Sequence, residues 1–273
     1  METLGLVAGG GGLPVEIASL CRAEGRPYFV VRLRGFADPA LGAHPGEEAG
    51  LAELGRCTSA LRRAGCRRVC FCGYISRPDF SALKPDLKAL KYLPGVAAAA
   101  RRGDDALLRA VLHVFEREGF EIEGVGEAAA GLALGPGPLG AVPPDDHDRV
   151  DIALALQAAH ELGASDLGQG AVARSGQVVA REGLDGTDAM LARVEALATR
   201  AGVLAKTPKP GQDQRVDLPT IGPATVQGAA RAGLKGIVGP AGRVLVVERA
   251  AVVEAADRLG LFVLGVDAAG AGP

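Results

Sequence analysis

Short apolar runs alternate with amphipathic stretches through the first half of the chain. Leu4–Ala8 is a continuous apolar run of strand length, and Pro14–Ala23 carries its apolar residues at helical spacing. Proline is tolerated in a first helical turn, where its missing N–H would be unpaired anyway. Tyr28–Leu33 reads as a second strand. A helix near Glu53–Ala64 is stopped by Gly65, and the strand Arg68–Cys72 by Gly73. Asp104–Glu118 is strongly periodic, with Leu107, Leu108, Val111, Leu112 and Phe115 on one face, and Phe120–Ile122 returns as a strand. Strands alternating with helices predict an α/β fold whose parallel sheet is covered on both faces.

Gly131–Asp148 is dense in Gly and Pro and reads as a linker. Beyond it, Val150–Leu162 is an amphipathic helix, and two short strands flank a turn at Ser175-Gly176. Thr187 reads as the cap of a helix running to Thr199, with Asp188 in its first turn. GVLAK leads into a polar loop, Thr207–Pro219. Helix, strand, hairpin, helix and strand follow, ending in GLFVLGVD. The expected organisation is an N-terminal domain over 1–130, a linker over 131–148 and a distinct C-terminal α/β domain over 149–273.

Composition narrows the class. The chain is 48% hydrophobic and 23% charged over 273 residues, enough apolar content for a substantial core. A net charge of −2, 4% aromatic residues and no Trp give no case for nucleic-acid binding. The cysteines at 21, 57, 66, 70 and 72 are odd in number and lack paired spacing. They read as buried thiols of a reducing compartment rather than a disulfide framework or a zinc set. The N-terminus lacks a signal-peptide pattern, and no apolar run reaches the ~18 residues of a membrane span. The expected location is cytoplasmic, with docking on a membrane left open.

Gly9, Gly10, Gly11 and Gly12 stand where an apolar strand gives way to a helix, a place that suits phosphate. The dinucleotide pattern GxGxxG fails, because its third glycine falls on Pro14 or Val15. The second strand ends in RLRG, with no acid for a ribose, and no GK[ST] follows the glycines. A phosphate cradle and a tight structural turn both remain open. Gly73 opens a loop on the same expected edge, with Arg77 in reach of phosphate. Asp104 and Asp105 are better read as helix-start residues than as metal ligands.

The densest chemistry lies in AKTPKPGQDQRVDLPTIG, Ala205–Gly222, where prolines stiffen a loop crowded with charge. Lys206, Lys209 and Arg215 suit a polyphosphate, and Asp217 suits a divalent cation or an activated water. Gln169 lies between glycines, and Asp185, Thr187 and Asp188 lie at a helix entrance. Asp188 is balanced between first-turn electrostatics and a ligand role. The four histidines form no catalytic or metal pattern.

The blocks LGLVAGGGGLPVEIA, RLRGFADP, CFCGYISRPDFSALKPD, RRGDDALLR, FEREGFEIEG, DLGQGAV, VLAKTPKPGQDQRVDLPTIG and GLFVLGVD span nearly the whole chain. In these blocks the chain resembles the UDP-2,3-diacylglucosamine pyrophosphatases of the LpxI type; EGLDGTDAML departs from their pattern by inserted residues. The resemblance implies a Rossmann-like N-terminal domain, a separate C-terminal α/β domain and a place in lipid A synthesis. It implies hydrolysis of the pyrophosphate bond of UDP-2,3-diacylglucosamine to 2,3-diacylglucosamine 1-phosphate (lipid X) and UMP. It also implies Mg²⁺ or another divalent cation, with Asp217 catalytic.

The combined expectation assigns Gly9–Gly12, Gly73, Gln169, Thr187, Lys206, Lys209 and Arg215 to substrate and phosphate, and Asp217 with Asp188 to metal. The expected partners are the UDP-diacylglucosamine lipid and, transiently, the inner-membrane surface as a peripheral protein. A homodimer is compatible with this, and nucleic acid is excluded. A nucleotide-sugar transferase and a non-catalytic nucleotide-sugar binder stay open as alternatives.

Overall fold

The structure is a computed structural model. It describes residues 2–76, 83–165, 167–194, 200–210, 213, 215 and 218–267. The chain divides into two compact units, Met1–Ala129 and Ala130–Pro273.

The first unit runs β1 (Thr3–Ala8), α1 (Leu13–Ala23), β2 (Tyr28–Leu33), β3 (Gly46–Ala49), α2 (Leu54–Arg63), β4 (Cys66–Cys72), α3 (Leu87–Ala100), α4 (Asp104–Arg117), β5 (Glu121–Ile122) and α5 (Val125–Ala128). Its five strands are parallel, in the order β3-β2-β1-β4-β5. That order reverses direction at β1 and β4, which makes their carboxyl ends the switch point of the sheet. β1 is apolar along its length because it is central, and Leu4 and Leu6 are fully buried. Besides the single-turn α5, two elements escape the sequence pattern. β3 is the charged edge strand GEEA, and α3 contains Pro94.

All five cysteines are free and buried. Burial pushes the thiol of Cys57 up to about 12 and that of Cys66 to about 11, so both stay protonated and inert.

The second unit runs β6 (Gly137–Leu139), α6 (Asp148–Ala164), β7 (Gly170–Arg174), β8 (Gln177–Arg181), α7 (Gly186–Arg193), β9 (Val203–Lys206), β10 (Thr220–Ile221), α8 (Pro223–Arg231), β11 (Gly236–Pro240), β12 (Leu245–Val246), α9 (Arg249–Leu259) and β13 (Phe262–Val266). Its main sheet is mixed, in the order β6-β13-β11-β9-β7-β8. β9, β11 and β13 run parallel, while β7 is antiparallel to both β8 and β9. Ala155, Ala158 and Ala159 of α6 pack on Ala171, Ala173, Val203 and Ala205, a small-residue layer that brings helix and sheet close. The opposite face carries the larger core of Val172, Met190, Leu191, Leu204, Val226 and Val252.

The hairpin at Ser175-Gly176 has both turn residues at positive φ, 51° and 75°, as a two-residue type I′ turn requires. Asp151 of α6 fastens it, accepting from Ser175 N at 3.0 Å and Gly176 N at 2.8 Å. Three expectations need correction. The stretch 131–148, read as a linker, falls in the second unit and supplies β6, which pairs antiparallel with β13. The hairpin expected after β11 does not form, because β12 pairs instead with β10, in parallel. Thr187 is not the cap of α7. Asp185 holds that position, and the Thr187 hydroxyl is drawn off to a neighbouring carboxylate.

Candidate active site

In the first unit the glycine loop and the Gly73 loop meet at the switch point. Gly10 N donates to Tyr74 O at 2.8 Å, and Tyr74 N donates back to Gly10 O at 3.0 Å. A Cβ at Gly9 would lie 2.6 Å from Tyr74 O. At Gly73, whose φ is +85°, it would lie 2.5 Å from Gly10 O and 2.8 Å from Pro14 Cγ. The Tyr74 ring packs against Gly10 and Gly11. The structure thus brings Gly9, Gly10, Gly11 and Gly73 together, and close backbone approach accounts for three of them. Gly12 is the N-cap of α1. Pro14 withholds one N–H from that helix start, and Glu16 already places a carboxylate in its first turn. Both features reduce what the helix itself offers an anion.

In the second unit the polar residues gather where β9 ends and β7 begins. Lys206 closes β9 and pairs across the sheet with Gly170. It lies on the same face as Leu204, and its buried ammonium donates to Thr220 O of β10 at 3.0 Å. Gly170 has no side chain, and the carboxylate of Glu182 occupies the room this leaves: a Cβ at Gly170 would lie 2.5 Å from Glu182 Oε2. The Thr187 hydroxyl donates to that oxygen at 3.0 Å, which fixes the carboxylate's orientation.

Next to this pair, Thr207 N donates to Gln169 O at 2.9 Å. Their side-chain oxygens, Gln169 Oε1 and Thr207 Oγ1, are buried with no hydrogen-bond partner among the described residues. Unmet buried acceptors are expensive in a folded protein, and such groups recur where a ligand completes them.

The structure therefore brings Gln169, Thr187 and Lys206 to one strand-end region. Lys209 lies close by in sequence, its backbone against Gly163 at the end of α6. Arg215 is half-exposed and paired with Asp213 at 2.7 Å. Asp188 is exposed on α7 and lines a cavity of about 60 Å³ with Leu191, Ala192, Gly228 and Arg231, too small for a diphosphate. Asp217 and Arg77 lie outside the described residues. Glu182, Thr207 and Thr220 were not singled out from sequence. An acid after an alternating edge strand reads as solvated, and only the glycine opposite it hints otherwise. A larger depression of about 550 Å³ lies at the amino ends of β4 and β5, lined by Glu2, Arg67, Arg68 and Glu121 among others. That is the end of a parallel sheet where ligands do not gather.

A divalent cation needs suitable donors. Among the described residues no three of His, Cys, Asp and Glu stand together. What the strand ends do offer is oxygen: the Glu182 carboxylate and the two unpartnered oxygens of Gln169 and Thr207. Oxygen donors suit a hard cation such as Mg²⁺ and not a thiolate-seeking metal.

Two α/β units, one with its glycine loops at the carboxyl ends of a parallel sheet and the other with polar groups clustered about the end of β9, define a two-domain α/β protein. Residues 3–132 match the family model of the LpxI N-terminal domain and residues 135–264 that of the LpxI C-terminal domain. The chain belongs to the LpxI family. It is 59% identical over 275 aligned positions to the UDP-2,3-diacylglucosamine pyrophosphatase LpxI of Caulobacter vibrioides, with 98% of each chain covered. Among solved structures, CobK precorrin-6A reductase aligns with 98% of this chain and 88% of its own at 15% identity. The TM-score of that alignment is 0.29.

Proposed function

We propose that the protein hydrolyses the pyrophosphate bond of UDP-2,3-diacylglucosamine, releasing UMP and 2,3-diacylglucosamine 1-phosphate in lipid A synthesis. The observation that carries this reading is the 59% identity to a UDP-2,3-diacylglucosamine pyrophosphatase over 98% of both chains. The second unit supplies groups such a reaction needs. A dianionic diphosphate requires positive charge, and Lys206 is held buried at a strand end by Thr220. In the bond change, a water oxygen joins the phosphorus on the sugar side. The bond from that phosphorus to the bridging oxygen breaks, and UMP leaves with the bridging oxygen. Lys206 and Lys209 offset charge as it builds on the leaving phosphate.

Asp217, in the RVDLPTIG stretch, is the proposed catalytic carboxylate. A divalent cation, Mg²⁺ in this reading, would be held by Asp217 with oxygens of Glu182 and Gln169. It would supply Lewis-acid polarisation of phosphate and a lowered water pKa. Asp188 is the weaker second ligand, because it is exposed and Arg231 lines the same small cavity. The glycine loop and Gly73 of the first unit are proposed to meet the nucleotide end through backbone groups. The diacylated substrate brings the protein to a membrane surface.

The test is UMP release from UDP-2,3-diacylglucosamine by purified protein, with Mg²⁺ and with EDTA. Asp217→Asn is expected to keep the fold and abolish turnover. Near-normal hydrolysis by that variant, or full activity in EDTA, would overturn the assignment. UDP-sugar binding without UMP release would favour the non-catalytic reading.

A further inference from the structure

α3 is built inside out. Two of its polar side chains face the rest of the first unit: Lys88 Nζ donates to Glu118 at 2.9 Å, and the Tyr92 hydroxyl donates to the other oxygen of the same carboxylate at 2.9 Å. Arg62 of α2 donates to Glu118 as well. Asp86, the N-cap of α3, accepts from Ala89 N and from Gly55 N at the start of α2, so the helix is fastened at its head. The leucines point the other way. Leu87, Leu90 and Leu93 are 89%, 49% and 43% exposed. At 100° per residue, these three with Pro94, Ala97 and Ala98 form one continuous outer face. A helix on a water-facing surface has the opposite pattern.

The charge around this face selects its occupant. Lys84, Lys91, Arg101 and Arg102 are exposed, and the sole acid between residues 83 and 103, Asp86, is taken up by backbone N–H groups. An apolar face flanked by basic residues, with no exposed acid along the helix itself, is the pattern of a helix that lies in a bilayer interface. A second copy would set four positive charges against four more, which disfavours self-association through this face.

We propose that α3 is a docking helix for an anionic lipid surface, with Leu87, Leu90 and Leu93 inserted among acyl chains and Lys84 and Lys91 at the headgroups. The proposal goes beyond the hydrolytic reading and is tested without it, because no nucleotide sugar is needed. Full-length protein is floated with vesicles of phosphatidylglycerol and phosphatidylethanolamine, and with phosphatidylcholine vesicles as the neutral control.

Wild-type protein is expected to float with the anionic vesicles and to be released by salt. Leu87→Ser/Leu90→Ser/Leu93→Ser is expected to lower the bound fraction at least about tenfold. Each of Lys84→Gln and Lys91→Gln is expected to lower it about fivefold. Tyrosine fluorescence, with Tyr92 on α3 itself, checks that the variants stay folded. Equal flotation of wild type and the leucine variant overturns the proposal, as does no flotation of wild type. A wild-type dimer that the leucine variant dissolves, without vesicle binding, overturns it in favour of a second copy.

Discussion

Replacing Gly73 by alanine separates a packing role of the glycines from ordinary backbone strain. Gly73 has φ +85°, and a methyl there would come within 2.5 Å of Gly10 O and 2.8 Å of Pro14 Cγ. Gly25, past the end of α1, has φ +69° and nothing within 4 Å of a methyl. Both substitutions meet the positive-φ cost of about 1 kcal/mol. Gly73→Ala also drives a carbon into backbone that can yield only if the two loops separate, a further cost of about 2 kcal/mol. Tyr28, Tyr74 and Tyr92 are the three tyrosines of the chain, and all lie in the first unit. Urea unfolding followed by tyrosine fluorescence therefore reports on that unit. Gly73→Ala is expected to cost about 3 kcal/mol and Gly25→Ala about 1 kcal/mol. Equal costs would show that the paired loops do not hold the geometry described.

Three more outcomes follow from named contacts. Glu118 is held down to about 2 by Lys88, against burial and with help from Arg62 and Tyr92. A carboxylate with a lowered folded pKa stabilises above its unfolded value, near 4.5, and loses that contribution as pH falls toward about 2. Glu118→Gln should therefore lower the urea midpoint at pH 7 and show a clearly narrower gap to wild type at pH 3; an unchanged gap refutes the pairing. Thr207→Val removes an unpartnered buried hydroxyl, so melting by circular dichroism should hold or rise while UMP release falls. A stability loss above about 1 kcal/mol would mean that the hydroxyl is satisfied in the fold. Lys206→Met should keep far-ultraviolet dichroism and lower UMP release about 10²-fold or more, since a positioned donor to phosphate carries that much. Unaltered release would remove Lys206 from the chemistry.

What the chain discloses depends on whether a residue's neighbours in sequence are also its neighbours in space. β1, β2, β4, α4 and the Ser175-Gly176 hairpin were legible, because apolar period and turn chemistry agree with the fold there. β3 was not, since GEEA at a sheet edge is too polar to look like a strand. α3 was hidden by Pro94 and by leucines that face outward, so its period points away from the core. The final stretch looks locally like a hairpin, but β12 takes its partner from β10, more than twenty residues earlier.

Of the candidate residues, Gln169 is marked in the sequence by the glycines beside it and Lys206 by its place at the end of an apolar run, and the fold sets the two at adjacent strand ends. Glu182 was not, because its burial depends on Gly170 of the adjacent strand being bare. The Thr187 hydroxyl was assigned to a helix cap on local grounds and goes instead to that same carboxylate. Asp217 was named from its motif and lies outside the described residues.

The most direct test of the central claim is to incubate the purified protein with UDP-2,3-diacylglucosamine and Mg²⁺ in ¹⁸O-labelled water and analyse the products by mass spectrometry. The account predicts UMP without label and 2,3-diacylglucosamine 1-phosphate carrying one ¹⁸O on its phosphate. Intact substrate after prolonged incubation, or label found in UMP, would contradict it.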